Sequence, residues 1–184
     1  MNNELITHTK AILNKEATAR SFSHNTLTMS PAANVSHTYA INVNFPPKDA
    51  AYFFTALGEV LWTPDWSPSL IKGNGFQRND VFLNTASGNT LFVVTNFDTE
   101  RGHISYVRLD PNLTVATIDL SIKPSGKGSQ VDVTYRLTAL NTHSENTINA
   151  LTAEAYQSEM KTWEGNIAMM EKSLQEWLHY AQQE

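Results

Sequence analysis

The C-terminal segment, from about Asn146 to Gln182, constrains the fold more than any other part of the chain. Its large apolar residues are Tyr156, Met160, Trp163, Ile167, Met170, Leu174 and Trp177, spaced alternately four and three apart. Side chains at that spacing share one face of an α-helix. No proline interrupts the segment, and at ~1.5 Å per residue an unbroken helix over it would run ~55 Å. In a chain of 184 residues such a helix must cross whatever it packs on. Most of what precedes it reads as strands, so the expectation is a long helix laid across a sheet. Gly165 falls on the solvent side, opposite the stripe. Glu159 and Asn166 flank the stripe, where they could bind a polar group of a ligand or stand in solvent; solvation is the commoner fate of a glutamate.

The strands show themselves by alternation. In HTYAINVNF, Tyr39, Ile41, Val43 and Phe45 alternate with polar or small residues, the pattern of a half-buried strand. Pro46-Pro47 ends it, and Pro47 suits the first position of a helix expected over 48–57. Gly58 stops that helix, and Pro64 and Pro68 keep a second one short. Strands follow near 69–72, at 80–85, 90–97, 103–109 and 114–122, and in QVDVTYRLTA up to Ala139. Turns of two to six residues join them, closed by Ser87-Gly88-Asn89, Asp110-Pro111-Asn112 and the run from Lys123 to Gly128. Neighbours joined so tightly must pair antiparallel. The strands at 90–97 and 103–109 carry apolar residues on both faces, so their inward face stays open at this level.

Composition sets limits. A net charge of −5 argues against nucleic acid as partner, because such interfaces are basic. With no cysteine there is no disulfide framework and no thiolate nucleophile or metal ligand, which fits a cytoplasmic location. No apolar run reaches the ~18–20 residues of a membrane span, so stable membrane insertion is not expected. Residues 1–34 read as an extension with a short amphipathic helix and a polar linker, and 35–184 as the domain. The six histidines are scattered without HExxH or His-x-His spacing, no Gly-x-Ser-x-Gly elbow is present, and the glycines of 73–75 and 126–128 serve turns. His103 on its strand is a surface residue or, in the sharper reading, a general base facing the interior. No metal and no cofactor are expected.

The order of elements resembles the START/Bet v 1-like superfamily, also known as SRPBCC or polyketide cyclase/dehydrase-like, with the helix-grip fold. The resemblance rests on the pieces PPKDAAYFFTALGEVLWTPDW, NDVFLNT and VDVTYRLTAL and on the long final helix, and covers about Val35 to Tyr180. It implies an α+β architecture: a curved seven-stranded antiparallel sheet wrapped around the C-terminal helix, two short helices after the first strand, and an apolar cavity between helix and sheet. The superfamily has no universal catalytic motif, so the resemblance carries over no catalytic residue.

On that reading the candidate ligand-binding residues are Tyr39, Ile41 and Val43 of the first strand, Trp62 and Trp66, Ile118 and Leu120, Val133, Tyr135 and Leu137, and Met160, Trp163, Ile167 and Met170 of the helix. The bland alternative is a solid core, which a methionine and aromatic stripe usually is. Three functions follow. The leading one is binding or carriage of a small hydrophobic molecule. The others are a cyclase/aromatase-like enzyme using polar groups in the same cavity, and a protein-interaction module whose cavity is vestigial.

Overall fold

The computed structural model describes residues 32–111 and 113–181, with side chains as far as Trp177. The helix expected near the N-terminus lies outside the described residues. Seven strands make one antiparallel sheet: β1 (Asn34–Val43), β2 (Pro68–Lys72), β3 (Val81–Asn84), β4 (Thr90–Asp98), β5 (His103–Asp110), β6 (Thr114–Ser125) and β7 (Gly128–Ala139). Their spatial order is β1-β7-β6-β5-β4-β3-β2. From β2 to β7 the chain simply meanders. The first strand pairs with the last, from Asn34 opposite Thr138 to Val43 opposite Ser129.

This order has a consequence for residues 44–67. They leave the sheet at one edge and must rejoin it at the other, so they cross its inward face. They do so as helix α1 (Pro47–Phe53), a turn, and one 3-10 turn at Glu59–Leu61. The expected second α-helix is therefore a single 3-10 turn, and α1 is shorter than the expected 48–57. The cause lies at Gly58: a Cβ there would stand 1.8 Å from the Tyr52 carbonyl oxygen. Only glycine permits this tight fold-back.

The C-terminal region also departs from expectation. It is two helices, α2 (Thr142–Ala150) and α3 (Ala153–Ala181). Asn141 caps α2, its side chain accepting from the Ser144 N–H at 2.9 Å. At its far end the Leu151 carbonyl accepts from His37 Nε2 of β1 at 2.8 Å, which fixes the break. The continuous helix is thus 29 residues, ~43 Å long. Its buried face is Tyr156, Met160, Ile167 and Met170, with Trp163 and Leu174 half-buried, whereas Trp177 at the end of the expected stripe is 65% exposed.

The open question of β4 and β5 resolves through a bulge. Val94 pairs with Tyr106, but the next pair is Asn96 with Ser105, so Thr95 is the extra residue. An extra residue reverses alternation. Phe92 and Val94 point inward before it and Phe97 packs on the core after it, opposite buried Ile104. Farther on, β6 continues through Lys123-Pro124-Ser125, expected as turn; the hairpin turn itself is only Gly126-Lys127, with Ser125 paired to Gly128.

Candidate functional site

The inward face of the sheet is built in rows of paired residues. One runs Tyr135, Ile118, Tyr106, Val94 across β7 to β4. The next, toward α2, runs Leu137, Ala116, Arg108, Phe92, Phe82. The segment from α1 to β2 and helix α3 close over these rows. Between them remains a cavity of about 40 Å³, lined by Phe54, Glu59, Trp66, Phe82, Phe92, Tyr106, Ile118, Leu120, Val133, Tyr135 and Trp163. A space of that size admits roughly three waters at most.

Rings dominate its wall. Phe82 stacks on Phe92 with centroids 4.9 Å apart, and Trp66 meets Phe92 edge-on at 5.5 Å. Trp163 of α3 meets Tyr135 at 6.3 Å and buried Trp62 at 5.2 Å. Such offset and edge contacts are the preferred aromatic geometries.

Three of these aromatics have their polar atoms occupied, and for one reason. The chain leaving α1 turns so sharply that its last carbonyls are buried without helical partners. Trp62 Nε1 donates to the Phe53 carbonyl, the Tyr106 hydroxyl to Phe54, and Trp66 Nε1 to Ala56, each at 2.7 Å. Trp62, Trp66 and Tyr106 are thus struts that hold the cover of the cavity on its floor.

Two polar groups on the wall are left over. The Glu59 carboxyl and the Tyr135 hydroxyl have no hydrogen-bond partner among the described residues. Glu59 comes from the 3-10 turn and Tyr135 from the middle of β7, so cover and floor each contribute one. Burial pushes the Glu59 carboxyl up to about 8, and the group is therefore neutral at pH 7. Burial likewise pushes the Tyr135 phenol far up; the Arg108 guanidinium pulls the other way, and the charge Glu59 would carry adds to the rise. Burial and Glu59 raise Tyr106 in the same sense. At neutral pH both free groups are O–H donors in an apolar space.

Beside the cavity, one row along, lies a groove of about 650 Å³ between α2 and the sheet, lined by Arg108, Asp110, Leu113, Thr114, Leu137, Ile148 and Leu151 among others. Arg108 and Asp110 are paired there at 2.8 Å. Asp110 in turn accepts from Thr90 at 2.6 Å and Thr114 at 3.0 Å.

Of the residues singled out from the sequence, Trp66, Ile118, Leu120, Val133, Tyr135 and Trp163 meet around the cavity. Ile41, Val43, Trp62, Met160, Ile167 and Met170 are buried in the core and do not reach its wall. Leu137 lines the groove, and Tyr39 is half-buried beside Glu164 of α3. Glu159 is exposed and Asn166 half-buried. His103 is exposed and faces away from the cavity. Phe92 and Tyr106 also line the cavity; the inward face of their strands, 90–97 and 103–109, stays open in the sequence. Phe54 and Phe82 line it as well and are not among the residues singled out. Glu59 had no signal at all: a charged residue in a one-turn helix belongs to no periodicity. Among the described residues no three His, Asp or Glu side chains gather as a metal site, and no helix is long and apolar enough to cross a membrane.

No protein-family model matches the sequence, and no curated protein matches it. Solved structures do match the fold. The crystal structure of Ara h 8.0201 is 16% identical, with a TM-score of 0.57 over 78% of this chain and 99% of that one. Ginseng major latex-like protein 151 from Panax ginseng is 9% identical, with a TM-score of 0.55 over 73% and 95%. A protein from Thermus thermophilus is 14% identical, with a TM-score of 0.53 over 73% and 98%. The domain has the Bet v 1-like helix-grip fold.

Proposed function

We propose that this protein binds and carries a small hydrophobic molecule in the space between sheet and C-terminal helix. The observation that carries the reading is the ring-lined cavity that holds two polar groups without partners. A packed core usually pairs its polar groups; a binding pocket places a few among apolar walls to orient its ligand. The cavity as it stands is smaller than such a ligand. Occupancy requires a ring of the wall to swing, and Trp66, Tyr135 and Trp163 are the half-buried ones. The neighbouring groove gives a displaced ring, or the ligand's far end, somewhere to go.

Native mass spectrometry of the protein purified from its own host tests the reading. A reproducible mass excess that leaves on gentle activation supports it. A bare protein, with no thermal shift against fatty acids, sterols, flavonoids and polyketide-like aromatics, counts against it.

A second reading is an enzyme in which Glu59 passes a proton to or from a hydrophobic substrate. It is favoured by the position of that carboxyl, on the cavity wall with its value raised to about 8, where an acid–base group works best near neutral pH. Glu59→Gln separates the two readings: it ends turnover in an enzyme and leaves carriage in place.

A further inference from the structure

The two partnerless groups narrow what the cavity can accept. Its lining contains no lysine, arginine or histidine, and Arg108, one row along, is already paired with Asp110. Tyr106, the other hydroxyl on the wall, is already spent on the Phe54 carbonyl. What remains is one hydroxyl from the floor and one carboxyl from the cover, in a wall of rings. We infer that the cavity selects an apolar molecule bearing a carbonyl oxygen, gripped between the Tyr135 hydroxyl and the Glu59 carboxyl. This rests on the binding reading given above and names its ligand class.

The chemistry follows from donor and acceptor counts. A carbonyl oxygen has two lone pairs and no proton, so it satisfies two O–H donors at once. A hydrocarbon of the same shape satisfies neither and leaves both donors without a partner in the cavity. A carboxylate ligand would bring a charge into a site whose nearby cation, Arg108, is already paired with Asp110. The pairing of a tyrosine with a neutral carboxylic acid is the donor set by which ketosteroid isomerase holds an oxyanion. The same donors stabilise a carbonyl that gains negative charge.

Ionisation of Glu59 turns its donor into an acceptor and sets its charge against the ligand's lone pairs. Arg108, which acts on Tyr135, and Glu159, which acts on Tyr135 and Tyr156, are the other charged groups felt at this wall. The pH dependence of ligand choice is assigned to Glu59, which faces both Tyr106 and Tyr135.

The test uses matched pairs, 1-indanone against indane and cyclohexanone against cyclohexane, titrated into the whole protein and read by tryptophan emission and thermal shift. The expected result is that each ketone binds about ten-fold or more tighter than its hydrocarbon at about pH 6, and that the preference shrinks several-fold by about pH 10. Tyr135→Phe should lose most of the preference while hydrocarbon affinity stays. Glu59→Gln keeps an N–H donor and no charge, so it should keep the preference at both pH values. The infrared carbonyl stretch of bound indanone should move to lower frequency and recover part of that shift in Tyr135→Phe. Equal binding of ketone and hydrocarbon overturns the carbonyl inference and leaves hydrophobic binding standing. Binding of neither overturns both.

Discussion

Glu171, only 2% exposed, accepts both N–H groups of Asn44, from main chain and side chain, at 2.7 Å each. Seven residues earlier on α3, Glu164 does the same for Asn42 at 3.0 Å. β1 is an edge strand, and the two glutamates fill the hydrogen-bonding places a further strand would take. They blunt the edge and fix how the helix lies on the sheet. Hydrogen bonds to charged groups contribute ~1.5–3 kcal/mol. Glu171→Ala should cost that much in urea unfolding. Glu164→Ala, whose bonds are exposed, should cost under ~1 kcal/mol. Equal costs would show that the helix is held by its apolar stripe alone.

The Glu59 carboxyl on the cavity wall makes a prediction about pH. Its value rises from an ordinary 4.5 to about 8 on folding, so between those limits the folded state holds a proton the unfolded state has released. Stability therefore falls as pH rises from about 4.5 to about 8, by at most ~1.4 kcal/mol per unit, and is level on this account beyond. Glu59→Gln cannot ionise and should flatten that slope. Thermal melts of both proteins across the interval are the measurement, and parallel curves would mean that the carboxyl finds solvent.

Asp80 has the opposite sign. Burial raises it, but N–H donors from Gln77, Asn74 and Gly75, at 3.0 to 3.1 Å, outweigh burial and hold it below its ordinary 3.8. The stability it supplies is present above about 3.8 and lost as acid protonates it. Asp80→Ala should cost ~1–3 kcal/mol at neutral pH and progressively less as acid protonates the carboxylate. Gly73→Ala should also destabilise. Its φ is +78°, and the new Cβ would stand 1.9 Å from an Asp80 carboxylate oxygen.

The antiparallel meander was legible because inward residues of β1, β6 and β7 recur at every second position, and Tyr156, Met160, Ile167 and Met170 at helical spacing. Where a local feature breaks the period, sequence reasoning failed. Leu91, Phe92, Val93 and Val94 are consecutive, so both faces of β4 look apolar, and the Thr95 bulge then shifts the alternation for Phe97. Asn141 starts a separate helix by its cap, which no stripe announces. The site failed for a different reason. Glu59 and Tyr135 are 76 residues apart and share a wall only because residues 44–67 cross the sheet from β1 to β2. Periodicity reports which face a residue takes, not which distant residue it meets there.

Trp163 gives the sharpest test of whether the wall is packed core or ligand surface. It is half-buried, touches Trp62 and Tyr135 by its ring edge, and borders empty space. Truncating a fully packed tryptophan costs ~3–5 kcal/mol. Part of that loss is absent here, because on the cavity side there are few contacts to lose, so Trp163→Ala should cost less than ~3 kcal/mol. It should also enlarge the cavity enough to admit a bicyclic ligand without a ring having to swing. Saturation at one hundred times the dissociation constant stabilises a protein by ~2.7 kcal/mol, a rise in melting temperature of ~5–10 °C for a domain of this size. The variant should therefore be less stable empty, yet show a larger shift with bulky apolar ligands than the parent protein. A full 5 kcal/mol loss with no ligand-dependent shift would make Trp163 ordinary core and remove the wall on which the binding reading depends.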